Sequence, residues 1–81
     1  MRTNAGYEII DAIQLPNVEF VLGERKGTQG TQFVTWRCYA GKEYHFGHYI
    51  ENYIEALIDL HERAQDEIIF VISRLKENEE L

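Results

Sequence analysis

From Tyr53 to Asn78 the chain contains neither glycine nor proline, and apolar positions recur at alternating spacings of three and four. Ile54, Leu57, His61, Ala64, Ile68, Val71 and Leu75 mark the row, which is the repeat of one face of an α-helix. Asn52, with Glu55 three residues later, has the pattern of a capping box, in which side-chain acceptors meet the free amides of the first turn. The spacing predicts one helix over about residues 53–78, about 39 Å long at 1.5 Å per residue. A six-residue strand covers only about 20 Å. In a chain of 81 residues such a helix must overhang whatever layer it packs on.

The preceding residues read as strands. Val18, Phe20 and Leu22 alternate with Glu19, Val21 and Gly23; Val34, Trp36 and Cys38 alternate with Phe33, Thr35, Arg37 and Tyr39; Tyr44, Phe46, His48 and Ile50 alternate with Glu43, His45, Gly47 and Tyr49. Aromatic and β-branched residues in this order suit a pleated surface. A three-residue loop Tyr39-Ala40-Gly41, with Gly41 left-handed, would set Cys38 against Lys42, Trp36 against Tyr44 and Val34 against Phe46. Tyr7–Leu15 admits two readings. Asn4 could cap a short helix buried through Ile9, Ile10 and Ile13, or Leu15-Pro16-Asn17-Val18 could be a tight turn pairing Leu15 with Val18 and Ile13 with Phe20. The second is preferred because it gathers bulky residues on one face. Gly23–Thr31, with three glycines in nine residues, reads as the flexible loop. The expected fold is α+β: an antiparallel β-meander of three to four strands packed by one long C-terminal α-helix. It forms a single domain over residues 1–81, strand-rich over 7–50, with flexible ends at 1–5 and 79–81.

The overhang is the most informative consequence. Tyr53, Ile54, Leu57, Ile58, Leu60 and Ala64 can cover the sheet, whereas Ile68, Ile69, Phe70, Val71 and Ile72 go right round the helix. Leaving them in water forfeits roughly 1.5–3 kcal/mol for each large side chain. Either the N-terminal segment wraps this half or a second chain does. A homodimer is the favoured expectation, with Ile68, Ile69, Phe70, Val71, Ile72 and Leu75 at the interface.

Charge is distributed as unevenly as apolarity. The net −6 arises wholly after residue 48, where nine acids face Arg63, Arg74 and Lys76, while the first 48 residues balance. A surplus of acids argues against general binding of nucleic acid, which rests on Lys and Arg meeting phosphates, and against docking on anionic lipid. No apolar run approaches a membrane span, and Met1–Gly6 lacks the apolar stretch of a signal peptide. One cysteine, Cys38, excludes an internal disulfide. A cytoplasmic setting is expected.

Candidates for chemistry are few. On a regular strand His45 and His48 point to opposite faces, and His61 sits in the helical row, so no metal site is expected. Cys38 beside Trp36 reads as a buried, inert thiol. Glu51/Glu55, Glu55/Asp59 and Glu62/Asp66 pair on a convex face, without the dry concave setting that separates two carboxyl pKa values. Ser73 lacks a nucleophile context, and no helix N-terminus follows the Gly27–Thr31 glycines to hold phosphate. The chain is therefore expected to be non-enzymatic, with no cofactor and no small-molecule substrate. The second sheet face, with Phe33, Arg37, Tyr39, His45 and Tyr49, has the aromatic-and-arginine composition of binding hot spots and of surfaces that stack single-stranded bases. Cover by the chain itself or by a dimer partner accounts for it equally well.

The stretch Phe33-Val34-Thr35-Trp36-Arg37-Cys38, then Gly41, Tyr44, Phe46-Gly47-His48-Tyr49 and the acidic helix through Asp59–Arg63, resembles small uncharacterised proteins of phages and conjugative elements of Gram-positive bacteria. The resemblance implies a setting on mobile DNA, where small acidic proteins often block host defence. Two functions are therefore expected. The first is a small acidic protein-interaction module, homodimeric through its C-terminal helix. The second is an inhibitor of a host nucleic-acid-binding defence protein, a basic partner met by Glu51, Glu55, Asp59, Glu62 and Asp66, which recur about once per turn as phosphates do along a strand.

Overall fold

Tight turns and two bulges shape the β-rich part of the chain. The computed structural model describes residues 1–79, and side chains as far as Glu77. Strands β1 (Thr3–Asn4), β2 (Tyr7–Gln14), β3 (Glu19–Gly27), β4 (Gly30–Tyr39) and β5 (Glu43–Ile50) lie in that order in one antiparallel sheet, followed by helix α1 (Tyr53–Glu79). The α+β class and the single C-terminal helix are as expected, but the meander has five strands rather than three or four. The added strand comes from the N-terminus, expected to be loose. Ala5 and Gly6 take left-handed conformations (φ 52° and 84°) and return the chain so that Asn4 pairs with Tyr7 and Thr3 with Glu8. At the other end, residues 80 and 81 of the expected flexible tail lie outside the described residues.

Tyr7–Leu15 enters the sheet, not a helix. Leu15 N donates to Val18 O at 2.8 Å across the Pro16-Asn17 turn, and Ile13 pairs with Phe20. The glycine-rich segment is no loop either. β3 and β4 continue to a Gly27–Gly30 pair, leaving only Thr28 and Gln29 as the turn.

Two bulges overturn the simple alternation. In β2 the register shifts between Ile9, opposite Gly23, and Asp11, opposite Leu22. Tyr7 and Ile9 thus pack on one face, and Ile13 and Leu15 on the other. In β5 the three-residue connection is Ala40-Gly41-Lys42, with Gly41 left-handed (φ 70°) as expected but Tyr39 opposite Glu43 and Cys38 opposite Tyr44. Phe46 (φ 54°) and Gly47 then bulge opposite Trp36, after which Thr35 meets His48 and Val34 meets Tyr49 rather than Phe46. The expected register was therefore two residues out near the turn and three beyond the bulge. Trp36 still meets Tyr44 as a diagonal neighbour, ring centroids 5.5 Å apart.

Both faces of the sheet are apolar. On one, Val18, Phe20, Leu22 and Phe33 pack against Ala56, Leu60 and Ala64 of α1. The small alanines let the helix come close, and the Asn52 side chain caps it by accepting from Glu55 N at 3.0 Å. On the other face Val21, Val34, Trp36 and Cys38 gather with Tyr7. The sheet rolls to cover this second set. The Tyr7 ring stands edge-on to Trp36 at 5.6 Å and lies 6.3 Å from Tyr49, although β2 and β5 are not neighbours. Arg2 latches the roll. Its Nε donates to Tyr44 Oη (2.9 Å), its Nη atoms donate to both Glu19 oxygens (2.8 and 2.7 Å), and Nη2 lies 3.2 Å from Cys38 Sγ. Burial pushes the Cys38 thiol up from its ordinary pKa.

Two outcomes follow for stability. A Cβ at Gly23 would lie 3.0 Å from Tyr7 Cβ and 3.2 Å from Trp36 and Val34, whereas one at Gly27 meets nothing closer than 3.5 Å. Gly23→Ala should cost about 1–3 kcal/mol of unfolding free energy, as overpacking does, and Gly27→Ala much less; urea denaturation of the pair checks this. The Arg2 hydrogen bonds hold the Glu19 carboxyl below its usual pKa. A depressed carboxyl contributes stability at neutral pH that is lost as pH falls through its folded value. The stability difference between wild type and Arg2→Met should therefore be full at neutral pH and vanish below the ordinary carboxylate range, as thermal melts across the acid limb would record.

Candidate interaction surface

The sheet seats α1 through polar side chains as well as apolar ones. Thr35, fully buried, donates its hydroxyl to Asp59 Oδ2 at 2.5 Å and accepts from Arg63 Nη1 at 3.1 Å. The same Arg63 nitrogen reaches Thr35 O (3.1 Å) and Phe46 O (2.9 Å). Desolvation by this burial lowers the Arg63 pKa, Asp59 raises it, and nearby Arg37 lowers it further. His48 Nδ1 lies 2.9 Å from Asp59 Oδ2. One turn farther along, Arg37 donates to Glu67 Oε1 and to Tyr39 Oη, both at 2.6 Å. Burial pulls the Arg37 pKa down, but these two partners outweigh it and the net shift is upward. The joint spans Asp59 to Glu67, two turns of helix, and fixes rotation and position together.

The joint reassigns several residues singled out from sequence. The helix itself occupies the sheet face of Phe33, Arg37 and Tyr39. Phe33 is buried, and Arg37 and Tyr39 are half-buried beneath α1. His45 shares that face at its exposed margin, while Tyr49 lies on the opposite one, separated from the others by the Phe46-Gly47 bulge. The bulge also puts His45 and His48 on the same face rather than opposite ones. Among the described residues no group of three or more His, Cys, Asp or Glu is placed to hold a metal.

The acidic row is shorter than its spacing suggested. Asp59 turns inward to Thr35 and His48, and Glu51 lies before the helix begins. Glu55, Glu62 and Asp66 remain exposed along α1. By contrast, the distal apolar residues stand free as a group. Ile68, Ile69, Phe70, Val71, Ile72 and Leu75 are 44, 54, 56, 37, 46 and 56% exposed. The molecule measures 57 × 24 × 16 Å, the long dimension reflecting the overhang. Beneath its start, the Leu15–Val18 turn and Ile68, Val71 and Ile72 line an apolar groove of about 200 Å³.

Sequence reasoning missed Arg63, Thr35 and Phe46. The Arg63 partners lie across the sheet, at Thr35 and Phe46, and cannot be read without the β5 register. Phe46, expected opposite Val34, is 73% exposed in a left-handed conformation. The following glycine, Gly47, was the available signal, since a Cβ there would lie 2.9 Å from Trp36 Nε1. No protein-family model, curated protein or solved structure matches the chain.

Removing the Thr35 hydroxyl tests the joint. Thr35→Val keeps the shape but leaves the Asp59 carboxylate and Arg63 guanidinium short of a partner. It should cost about 1–3 kcal/mol, the penalty for unsatisfied buried polar groups, measured by urea denaturation. Glu55→Gln, at an exposed site, should stay within about 0.5 kcal/mol of wild type.

Proposed function

We propose that the protein is a protein-interaction module that self-associates through the distal half of α1. One observation carries this reading. Six large apolar side chains fall within eight consecutive positions, every one more than a third exposed, where the helix meets only the Leu15–Val18 turn and the margin at Phe20 and Arg37. Scattered single hydrophobics are ordinary on a soluble surface, whereas a contiguous patch of this kind marks an association site. Each half-exposed isoleucine or leucine gains about 1 kcal/mol when its remaining area leaves water. The groove beside the Leu15–Val18 turn adds a concave apolar receptor to a convex apolar rod. The acidic surplus is compatible with this role because no acid falls between Ile68 and Leu75, and the one charged residue there, Arg74, places its guanidinium 5.6 Å from the Phe70 ring centre.

Light scattering coupled to size exclusion tests the reading. Wild type should elute as a dimer at micromolar concentration, and Ile69→Glu should elute as a monomer with an unchanged circular dichroism spectrum, because Ile69 touches no part of the core. A monomeric wild type would sink the proposal.

A further inference from the structure

The helical row read from sequence divides in the structure into two. Ala64 is buried against the sheet and Leu57 packs at the edge of the core, while Ile54, His61, Ile68, Val71 and Leu75 are exposed, Ile68 and Val71 beside the Leu15–Val18 turn. Four residues on from Ile54, His61 and Ile68 stand Ile58, Gln65 and Ile72, exposed beside them. Taken in order, Ile54, Ile58, His61, Gln65, Ile68 and Ile72, with Leu75 completing the set, are separated by alternating steps of four and three. That is an average of 3.5 residues, the heptad period of a helix that packs along its length against another helix. A helix that only covers a sheet has no use for such a row on a second side, where polar residues are expected. Here five of the seven are isoleucine or leucine, and those five are 44–59% exposed. The row also runs back over the sheet-backed half, where Ile54 and Ile58 are 59 and 52% exposed.

We infer that two copies of the chain pair antiparallel along this ridge, through residues 53–73 of α1, with His61 of each copy against the partner's Gln65. The inference rests on the self-association proposed above and extends it to residues outside the distal half. The available area fits a second copy. With about 90 Å² free on each ridge isoleucine or leucine, and Ile69 and Val71 flanking, each protomer would bury about 600 Å², and the pair would reach the lower end of the roughly 1,200–2,000 Å² range of stable interfaces.

Charge and polarity select the orientation and the register. A parallel pair would align the two helix dipoles and leave Lys76 remote from the partner's Glu51, Glu55 and Glu62. The antiparallel pair brings Lys76 to the partner's Glu51 and opposes the two helix dipoles. It also sets the bare distal half of each helix alongside the sheet-backed half of the other. In antiparallel packing the two classes of heptad core position face each other. Ile54 then meets the partner's Ile72, Ile58 meets the partner's Ile68, and the two polar residues meet at the centre. Sliding by one heptad would press His61 and Gln65 against isoleucines and strand their polar atoms, which costs free energy.

Cysteine pairing distinguishes the arrangements. Under mild oxidation, Ile54→Cys and Ile72→Cys mixed in equal amounts should give a disulfide-linked dimer on a non-reducing gel, and neither variant alone should. Ile58→Glu should convert the dimer to monomer in light scattering while keeping the wild-type circular dichroism. A linked dimer from Ile54→Cys alone would show parallel pairing and overturn the inference. A wild-type dimer with no linkage in the mixture, or one that survives Ile58→Glu, would overturn it while leaving the distal-half reading in place. A monomeric wild type would overturn both.

Discussion

A five-stranded sheet with apolar residues on both faces must be covered twice, and the described residues supply one helix with which to do it. β3 shows the constraint at its sharpest: Phe20, Val21 and Leu22 are consecutive and all are at most 2% exposed. Phe20 and Leu22 lie under α1, and Val21 lies on the far side. The second cover comes from the sheet itself, rolled until Tyr7, Tyr44 and Tyr49 close over Trp36. Gly23 and Gly47 supply the room for that roll, the two bulges supply its bend, and Arg2 holds the two margins together. Each of these features follows from the shortage of covering layers.

The helix is held by a different kind of contact. Ala56, Leu60 and Ala64 provide an apolar strip with little shape to define a rotation about the helix axis. The polar joint of Thr35, Asp59 and Arg63, extended by Arg37 and Glu67, defines it. Its members are hydrogen-bonded throughout, and among the described residues no buried side-chain polar atom lacks a partner. Because α1 is fixed in rotation, its second apolar row is fixed in direction. The interaction surface proposed on the overhang is thus aimed by contacts made on the sheet.

How much could be read beforehand depended on whether a feature was local. The helix, its Asn52 cap, its overhang and the Pro16-Asn17 turn are set by residues within a few positions of one another, and all were legible. The left-handed Gly41 was legible for the same reason. Register was not, since a bulge is an agreement between a strand and its neighbour: Ile10 and Phe46 look like ordinary alternating residues until Gly23 and Trp36 are placed opposite. From that one gap came the other misplacements, His45 with His48 and Tyr49 apart from Phe33. Asp59 was misread as a surface acid because its spacing with Glu55 and Glu62 is the same whether it meets water or Thr35. The double nature of the helical row was likewise hidden, since Leu57 and Ile58 serve the helical period equally well until a sheet claims one of them.

The bulges have a bearing on assembly beyond the bend they impose. A sheet that is not closed on itself offers its outermost strands as templates on which further strands can add without limit. Here β1 shields only the start of β2, the bulge at Ile10 breaks the regular ladder beyond it, and the bulge at Phe46-Gly47 interrupts β5 in mid-strand. Strand addition on either side therefore meets an irregular template. The open-ended geometry of stacked strands is thereby disfavoured, whereas the helix pairing proposed above would close on itself about a two-fold axis.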